Sequence, residues 1–292
     1  MPAVNLVYYP QMARAAEYYR RSSHYCGERL LPMEQFEQNP AVEGDVVVLG
    51  RTGNCHQLDL HHLRLLRAGG KIPAPEDTSI AVFDWHEDFD NNPEEHELTS
   101  ANWAWQGLQE PLYANLFVVG VNPHAFNELN WYQWEEDELR PTGDEVLRLL
   151  DRLCLYPAAP AYYGLKLFPE CEAFLEANHS IACYHAVRDG GFVMVQFRGM
   201  DEVSYVQRKR GMVVDIDLDV LTRTCLRADC PQGIMTVAQL ITHLGQVRRS
   251  GPISACLICG LTEVDELLDE QSLGSLSELL AACAELLAER PL

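Results

Sequence analysis

The chain is expected to fold as an α/β protein, a three-layer α-β-α arrangement around a mostly parallel central sheet. Three observations carry this expectation. Short, apolar, β-branched runs recur along the 292 residues, segments with helical spacing lie between them, and two acidic motifs follow directly on two of the runs. Strands that alternate with helices pair in parallel. Such sheets collect chemistry at the carboxyl ends of their strands.

The apolar runs are residues 5–9, 45–49, 79–83, 116–121, 180–184, 192–197, 212–216 and 255–261. Most lack period-2 alternation, the pattern of a strand buried on both faces. Helical spacing appears in 57–67, with Leu58, His61, His62, Leu65 and Leu66, and in 144–153, with Val146, Leu149, Leu150 and Leu153. It appears again in 237–247 and in 273–287, where Leu276, Leu279, Leu280, Cys283 and Leu287 share a face. Residues 93–141 are richer in Trp, Asn and Glu and read as loops and short helices around one strand. With no linker, repeat or low-complexity tract, one domain over 1–292 is expected.

Composition narrows the function classes. Hydrophobic residues are 47% and charged residues 22%, enough for a real core. The 43 acidic against 22 basic residues give a net charge of −21, which repels nucleic acid and anionic lipid and draws in cationic substrates or basic peptides. The same acidity also serves solubility. Cys154, Cys183, Cys256, Cys259 and Cys283 sit in apolar stretches and read as reduced core residues of a cytosolic protein. Cys256 and Cys259 form a CxxC inside a strand-like segment, with no second CxxC to complete a structural zinc site. The N-terminus lacks a signal-peptide pattern, and no run reaches the roughly 18 apolar residues of a membrane span. A cytoplasmic location without membrane contact is expected; oligomeric state is left open.

The run 79–83 leads into Asp84-Trp85-His86-Glu87-Asp88, and 212–214 leads into Asp215-Ile216-Asp217-Leu218-Asp219. In extended backbone, residues two apart face one side. Asp84, His86 and Asp88 can therefore converge, as can Asp215 and Asp217, and these five could hold two divalent ions. A carboxylate and imidazole set without thiolate favours Mn2+, or another borderline metal, over a structural zinc. The alternative is a group of surface acids at strand ends. Burying five ionisable groups together without a cation would be very costly, which disfavours a purely structural role.

A further ligand is expected from the turn Gly50-Arg51-Thr52-Gly53-Asn54-Cys55-His56, which follows the run 45–49 and opens a helix. His56 sits at the helix start beside the strand that carries Asp84. His61 and His62 compete for the role but lie mid-helix, so His56 is preferred.

In this order, the glycine-containing turn ending in His, the DxHxD, the later DxD and a Glu near the C-terminus resemble the arginase–agmatinase (ureohydrolase) superfamily. The match runs from 46 to about 265. The resemblance implies a metal-dependent hydrolase of guanidino groups with two Mn2+ ions. It implies that Glu263, in Gly260-Leu261-Thr262-Glu263-Val264-Asp265, pairs with the substrate guanidinium, and that Asp88 binds metal and relays a proton.

Departures point to an atypical branch. The DxD continues to Asp219 rather than through glycine to Asp-Pro. Asp90 stands near the position of an Asn that holds the α-carboxylate in free-arginine enzymes. Ala101-Asn102-Trp103-Ala104 lacks the family's catalytic His, for which His96, His124 or Glu87 could substitute. The DIDLD form, with paired histidines ahead of DxHxD, resembles an atypical arginase branch that includes peptide arginases, which convert arginine side chains in ribosomally made peptides to ornithine and urea. An arginine-containing peptide is thus the expected partner, with a small guanidino compound such as agmatine as the alternative. A deacetylase or other amidohydrolase on the same fold, and a metal-binding homologue without catalysis, are the rivals.

Overall fold

A computed structural model describes residues 4–50, 56–86, 88, 98–110, 112–123, 152–165, 184–189, 192–197, 199–203, 211–226, 233–261 and 268–288. The first half runs β1 (Val4–Tyr8), α1 (Ala13–Arg21), β2 (Arg29–Pro32), α2 (Met33–Gln38), β3 (Asp45–Leu49), α3 (Leu58–Ala68), β4 (Thr78–Phe83), α4 (Trp103–Gln109) and β5 (Asn115–Val121). It continues with β6 (Leu153–Pro157), β7 (Ala161–Leu165), β8 (Tyr184–Asp189), β9 (Phe192–Phe197), β10 (Gly211–Asp217), α5 (Val237–Ser250), β11 (Ile253–Cys259) and α6 (Glu270–Ala288).

Eight strands form one sheet in the order β2-β1-β3-β11-β10-β4-β5-β6, and every pairing in it is parallel. The apolar side chains of its central strands alternate between two clusters. Val47, Leu49, Ala81 and Phe83 pack on one face with Tyr19 of α1, Leu240 and Leu244 of α5, and Leu276 and Leu280 of α6. Val46, Val48, Ile80 and Val82 pack on the other with Phe36 of α2, Leu60 and Leu63 of α3, and Trp103 of α4. Two buried faces account for the unbroken apolar runs. Each fully buried side chain of this size contributes roughly 1.5–3 kcal/mol.

The helices stop and start for local reasons. α5 opens on a capping box, in which Thr236 accepts from Gln239 N and the Gln239 side chain accepts from Thr236 N. α1 turns Ala15, Ala16 and Tyr19 inward and ends on Arg20 and Arg21, favourably placed at the negative end of the helix dipole. Among the described residues, no helix is long and apolar enough to cross a membrane.

Some expectations are corrected. Leu153 opens β6 instead of ending a helix; residues 144–151 lie outside the described residues. The run 192–197 is a strand, but it pairs antiparallel with β7 and β8 in a separate three-stranded sheet. Of the run 180–184, Tyr184 begins β8, and 180–183 lie outside the described residues. On α3 the buried face is Asp59, Leu60, His62, Leu63 and Leu66, and His61 is exposed. The inward turn of Asp59 toward two histidines rotates the face away from the one drawn through His61.

Candidate metal centre

β3, β11, β10 and β4 are adjacent at the middle of the sheet, so their carboxyl ends share one edge. Ile216 is level with Phe83, which places Asp217 beside Asp84, the residue that follows β4. Cys259, the last residue of β11, is level with Asp217. His56 sits just before α3, the helix that follows β3. Topology alone therefore delivers an imidazole, carboxylates and a thiol to one point.

The His56 ring is the hub. Its Nδ1 lies 2.6 Å from Asp88 Oδ2, 3.2 Å from Asp84 Oδ2 and 3.4 Å from Asp217 Oδ2. Its Nε2 lies 3.5 Å from Asp59 Oδ2 and 3.6 Å from Asp215 Oδ1. All six residues are buried. Asp88 reaches the cluster from a left-handed backbone with φ of 52°, a conformation that Asp tolerates better than most residues. Trp103 Nε1 donates to Asp88 Oδ2 at 2.5 Å, and the indole packs 4.5 Å from the His56 ring.

A second group lies toward solvent. His86, with a side chain 38% exposed, places Nδ1 2.7 Å from Asp219 Oδ2 and 3.8 Å from Asp84 Oδ1. Asp219 also accepts from the Trp85 N–H at 3.1 Å. The two oxygens of Asp84 thus face different histidines, Oδ2 toward His56 and Oδ1 toward His86. Oδ1 also accepts from the His86 N–H at 2.7 Å.

The interior of the cluster is short of positive charge. Neither ring nitrogen of His56 has a hydrogen-bond partner among the described residues, nor do Asp59 Oδ2, Asp84 Oδ2 or either oxygen of Asp215. Unpartnered buried groups of this kind each cost about 1–3 kcal/mol, and more when charged. Divalent cations would satisfy all of them at once, so the residues fit the metal that the motifs imply.

Protonation shows the same shortage. Burial, reinforced by the Asp88 charge, raises Asp84 to about 7. Burial and the Asp59 charge raise Asp215 to about 7. Burial and the Asp219 charge raise Asp217 to about 7, and burial with the Asp84 charge raises Asp219 to about 6. At His86 burial is the largest single influence and opposes the charge, but the Asp219 hydrogen bond and the charges of Asp84, Asp219 and Asp88 together outweigh it and lift the imidazole to about 10. Without a cation, the centre retains protons instead.

The structure brings His56, Asp84, Asp88, Asp215 and Asp217 together; His86 stands at the rim against Asp219. Glu263 and Asp90 lie outside the described residues, as do Glu87, His96 and His124. His61 is exposed and faces Glu37 at 3.4 Å. His62 lies behind the centre: its Nδ1 bonds Asp59 Oδ1 at 2.7 Å and its Nε2 meets Tyr9 OH at 3.0 Å.

Sequence reasoning missed Asp59, Asp219 and Cys259. Asp219 was visible in the DxDxD spacing, but it arrives through a 3-10 turn, Leu218–Val220, capped by Asp217 Oδ1 at 3.0 Å from Asp219 N. Cys259 adds a thiol to the expected carboxylate and imidazole set: His56, Asp59, Asp215 and Cys259 each place a ligand atom within 4.8 Å of the others.

Gly260 keeps the edge open. Its φ is +79°, and a Cβ there would sit 1.8 Å from Asp217 Oδ1. Gly260→Ala must therefore displace the Asp217 carboxylate. The variant is expected to bind divalent metal at least tenfold more weakly than wild type by isothermal titration, a loss of roughly 1.4 kcal/mol or more. Unchanged affinity would remove Asp217 from the centre.

No protein-family profile matches the chain, and no curated protein matches it in sequence. Solved structures do match. Formimidoylglutamase from Bacillus subtilis subsp. subtilis str. 168 superposes with a TM-score of 0.59 at 12% identity, covering 100% of this chain and 89% of that one. Trypanosoma cruzi formiminoglutamase, solved with Mn2+, gives 0.55 at 10% identity over 99% and 94%. Arginase from Bacillus cereus gives 0.53 at 12% identity over 99% of both chains. At these identities the similarity is one of fold: the parallel sheet and its flanking helices are those of the arginase-like α/β proteins.

Proposed function

We propose that this chain is a two-metal hydrolase that cleaves a carbon–nitrogen bond of a guanidino group, and that its substrate is arginine within a peptide. The observation that carries the proposal is the buried cluster of unpartnered carboxylate and imidazole atoms at the carboxyl edge of an arginase-like sheet. His56 and Asp215 would hold an inner cation, and Asp84, His86 and Asp219 an outer one, with Asp88 and Asp217 on the side of the His56 ring that faces Asp84. A cation pair, most suitably Mn2+ at an oxygen-rich position, makes water a competent nucleophile near neutral pH by lowering its pKa.

The side chains perform the rest. The water oxygen adds to the guanidinium carbon, the bond from that carbon to the side-chain nitrogen breaks, and the products are urea and an ornithine side chain. Asp88, whose Oδ2 accepts from Trp103 Nε1, would take the proton that the water loses and pass it to the departing amine. Glu263 would pair with the guanidinium through bidentate hydrogen bonds and offset its charge. The exclusion of water around Asp84 and Asp215, both buried, strengthens each of these electrostatic terms.

Peptide arginine is favoured over free arginine by charge. Asp90 follows the DxHxD close to where free-arginine enzymes place an Asn. Two like charges about 4 Å apart repel by about 4 kcal/mol at an effective dielectric of about 20. An amide bond masks the substrate carboxylate and removes that term. The net charge of −21 adds attraction for a basic peptide, which fades with salt.

The test is product release by metal-loaded protein from an arginine peptide, agmatine, free arginine and N-formiminoglutamate at matched concentration. The peptide is expected to release urea at least tenfold faster than free arginine. Equal or faster turnover of free arginine would sink the peptide assignment. Preference for agmatine would make the protein agmatinase-like, and preference for formiminoglutamate would move it out of guanidino chemistry. Metal binding with no turnover of any of them would mark a non-catalytic homologue.

A further inference from the structure

The inner cation position has a face that the ureohydrolase-like motifs do not account for. His56 Nδ1 looks toward Asp84, Asp88 and Asp217, whereas Nε2 looks the other way, toward Asp59 and Asp215 at 3.5 and 3.6 Å. Cys259 completes this second face, with His56, Asp59, Asp215 and Cys259 each offering a ligand atom within 4.8 Å of the rest. All four residues are at least 97% buried, and His56 Nε2, Asp59 Oδ2 and both oxygens of Asp215 have no hydrogen-bond partner among the described residues.

We infer that His56, Asp59, Asp215 and Cys259 form a thiolate-containing cation site, so that the inner position of the centre takes a borderline ion such as Zn2+, Fe2+ or Co2+ in preference to Mn2+. This rests on the reading that the cluster holds cations. Three independent features point the same way. Four donors on one closed, buried face match the coordination number that such ions accept in protein sites. A thiolate shifts preference toward softer ions, while the outer group of Asp84, His86 and Asp219 offers only oxygen and nitrogen. Asp59 is anchored for the role: its Oδ1 is held by His62, itself bonded to Tyr9, leaving Oδ2 to face His56. Outer-shell anchoring of this kind fixes ligands in metal sites. Binding converts the Cys259 thiol to thiolate, and its proton leaves to solvent.

The experiment is Co2+ titration of the full chain, followed by absorption. Wild type is expected to bind Co2+ and show an intense near-ultraviolet thiolate-to-cobalt charge-transfer band, with strong visible absorption from a four-coordinate ion. Cys259→Ser is expected to bind Co2+ without that band, and its preference for Zn2+ over Mn2+ should fall at least tenfold. Asp59→Asn should weaken the band and lower Co2+ affinity. Co2+ bound by wild type with no thiolate band would overturn this site while leaving the cation-holding cluster intact. A band that persists in Cys259→Ser would overturn it too. No Co2+, Zn2+ or Mn2+ bound by wild type would overturn both readings.

Discussion

Asp84→Ala is expected to lose most of its bound metal and to reduce hydrolysis by at least a thousandfold, while the chain stays folded. Asp84 is the only described carboxylate whose two oxygens face both His56 and His86, so its removal weakens both cation positions at once. Outer-shell partners of metal sites typically cost roughly 10- to 100-fold when mutated, and a shared ligand should exceed that. The fold should survive because Asp84 lies beyond β4, its Oδ2 has no hydrogen-bond partner to lose, and its Oδ1 gives up one bond, from the adjacent His86 N–H at 2.7 Å. Removing one of several crowded carboxylates relieves repulsion in the metal-free protein, so metal-free Asp84→Ala should melt no lower than metal-free wild type at pH 8. His61→Ala, an exposed change on α3, is the control and should keep both metal and activity. Full metal occupancy in Asp84→Ala by elemental analysis would remove Asp84 from the centre.

Stripping metal is expected to make stability strongly pH-dependent. In the metal-free fold Asp84, Asp215 and Asp217 are raised from 3.8 to about 7, so the folded state binds more protons than the unfolded chain between those values. Stability must then fall as pH rises from about 4 to about 7. His86, raised from 6.5 to about 10, continues the fall over that higher window. A shift from 3.8 to about 7 at one carboxyl corresponds to roughly 4 kcal/mol. Cations replace those protons, so metal-loaded protein should be more stable at pH 8 than chelated protein, by a melting-temperature difference on the order of 10 °C. The gap should narrow toward pH 5, where protons compete for the ligands. A difference independent of pH would show that these carboxyls do not face a cation.

The sheet was legible because its central strands are apolar on both faces, and the acidic ends of β4 and β10 stood out against that background. The edges were less so. β2 is four residues long and only Leu31 is buried, so Arg29–Pro32 carries little strand signal. Leu153 was drawn into a helix because a leucine spacing ran up to it, although Leu153–Pro157 pairs with β5. At the centre, alternation found Asp84, Asp88, Asp215 and Asp217, and the turn before α3 found His56. Asp59 and Cys259 carry no such pattern. One sits on the first turn of a helix and the other in an apolar strand, and only the three-dimensional meeting of α3, β10 and β11 brings them to His56. Asp219 was in view, but a 3-10 turn rather than strand alternation carries it to His86.

The central claim is that this cluster holds two divalent cations. Its most direct test is the metal-to-chain ratio of wild-type protein dialysed at pH 8 against Mn2+ and Zn2+ together, with Asp215→Ala beside it. About two ions per wild-type chain, and far less than one in Asp215→Ala, is the expected result. A wild-type chain that retains no ion, or an Asp215→Ala chain that retains both, would contradict the account.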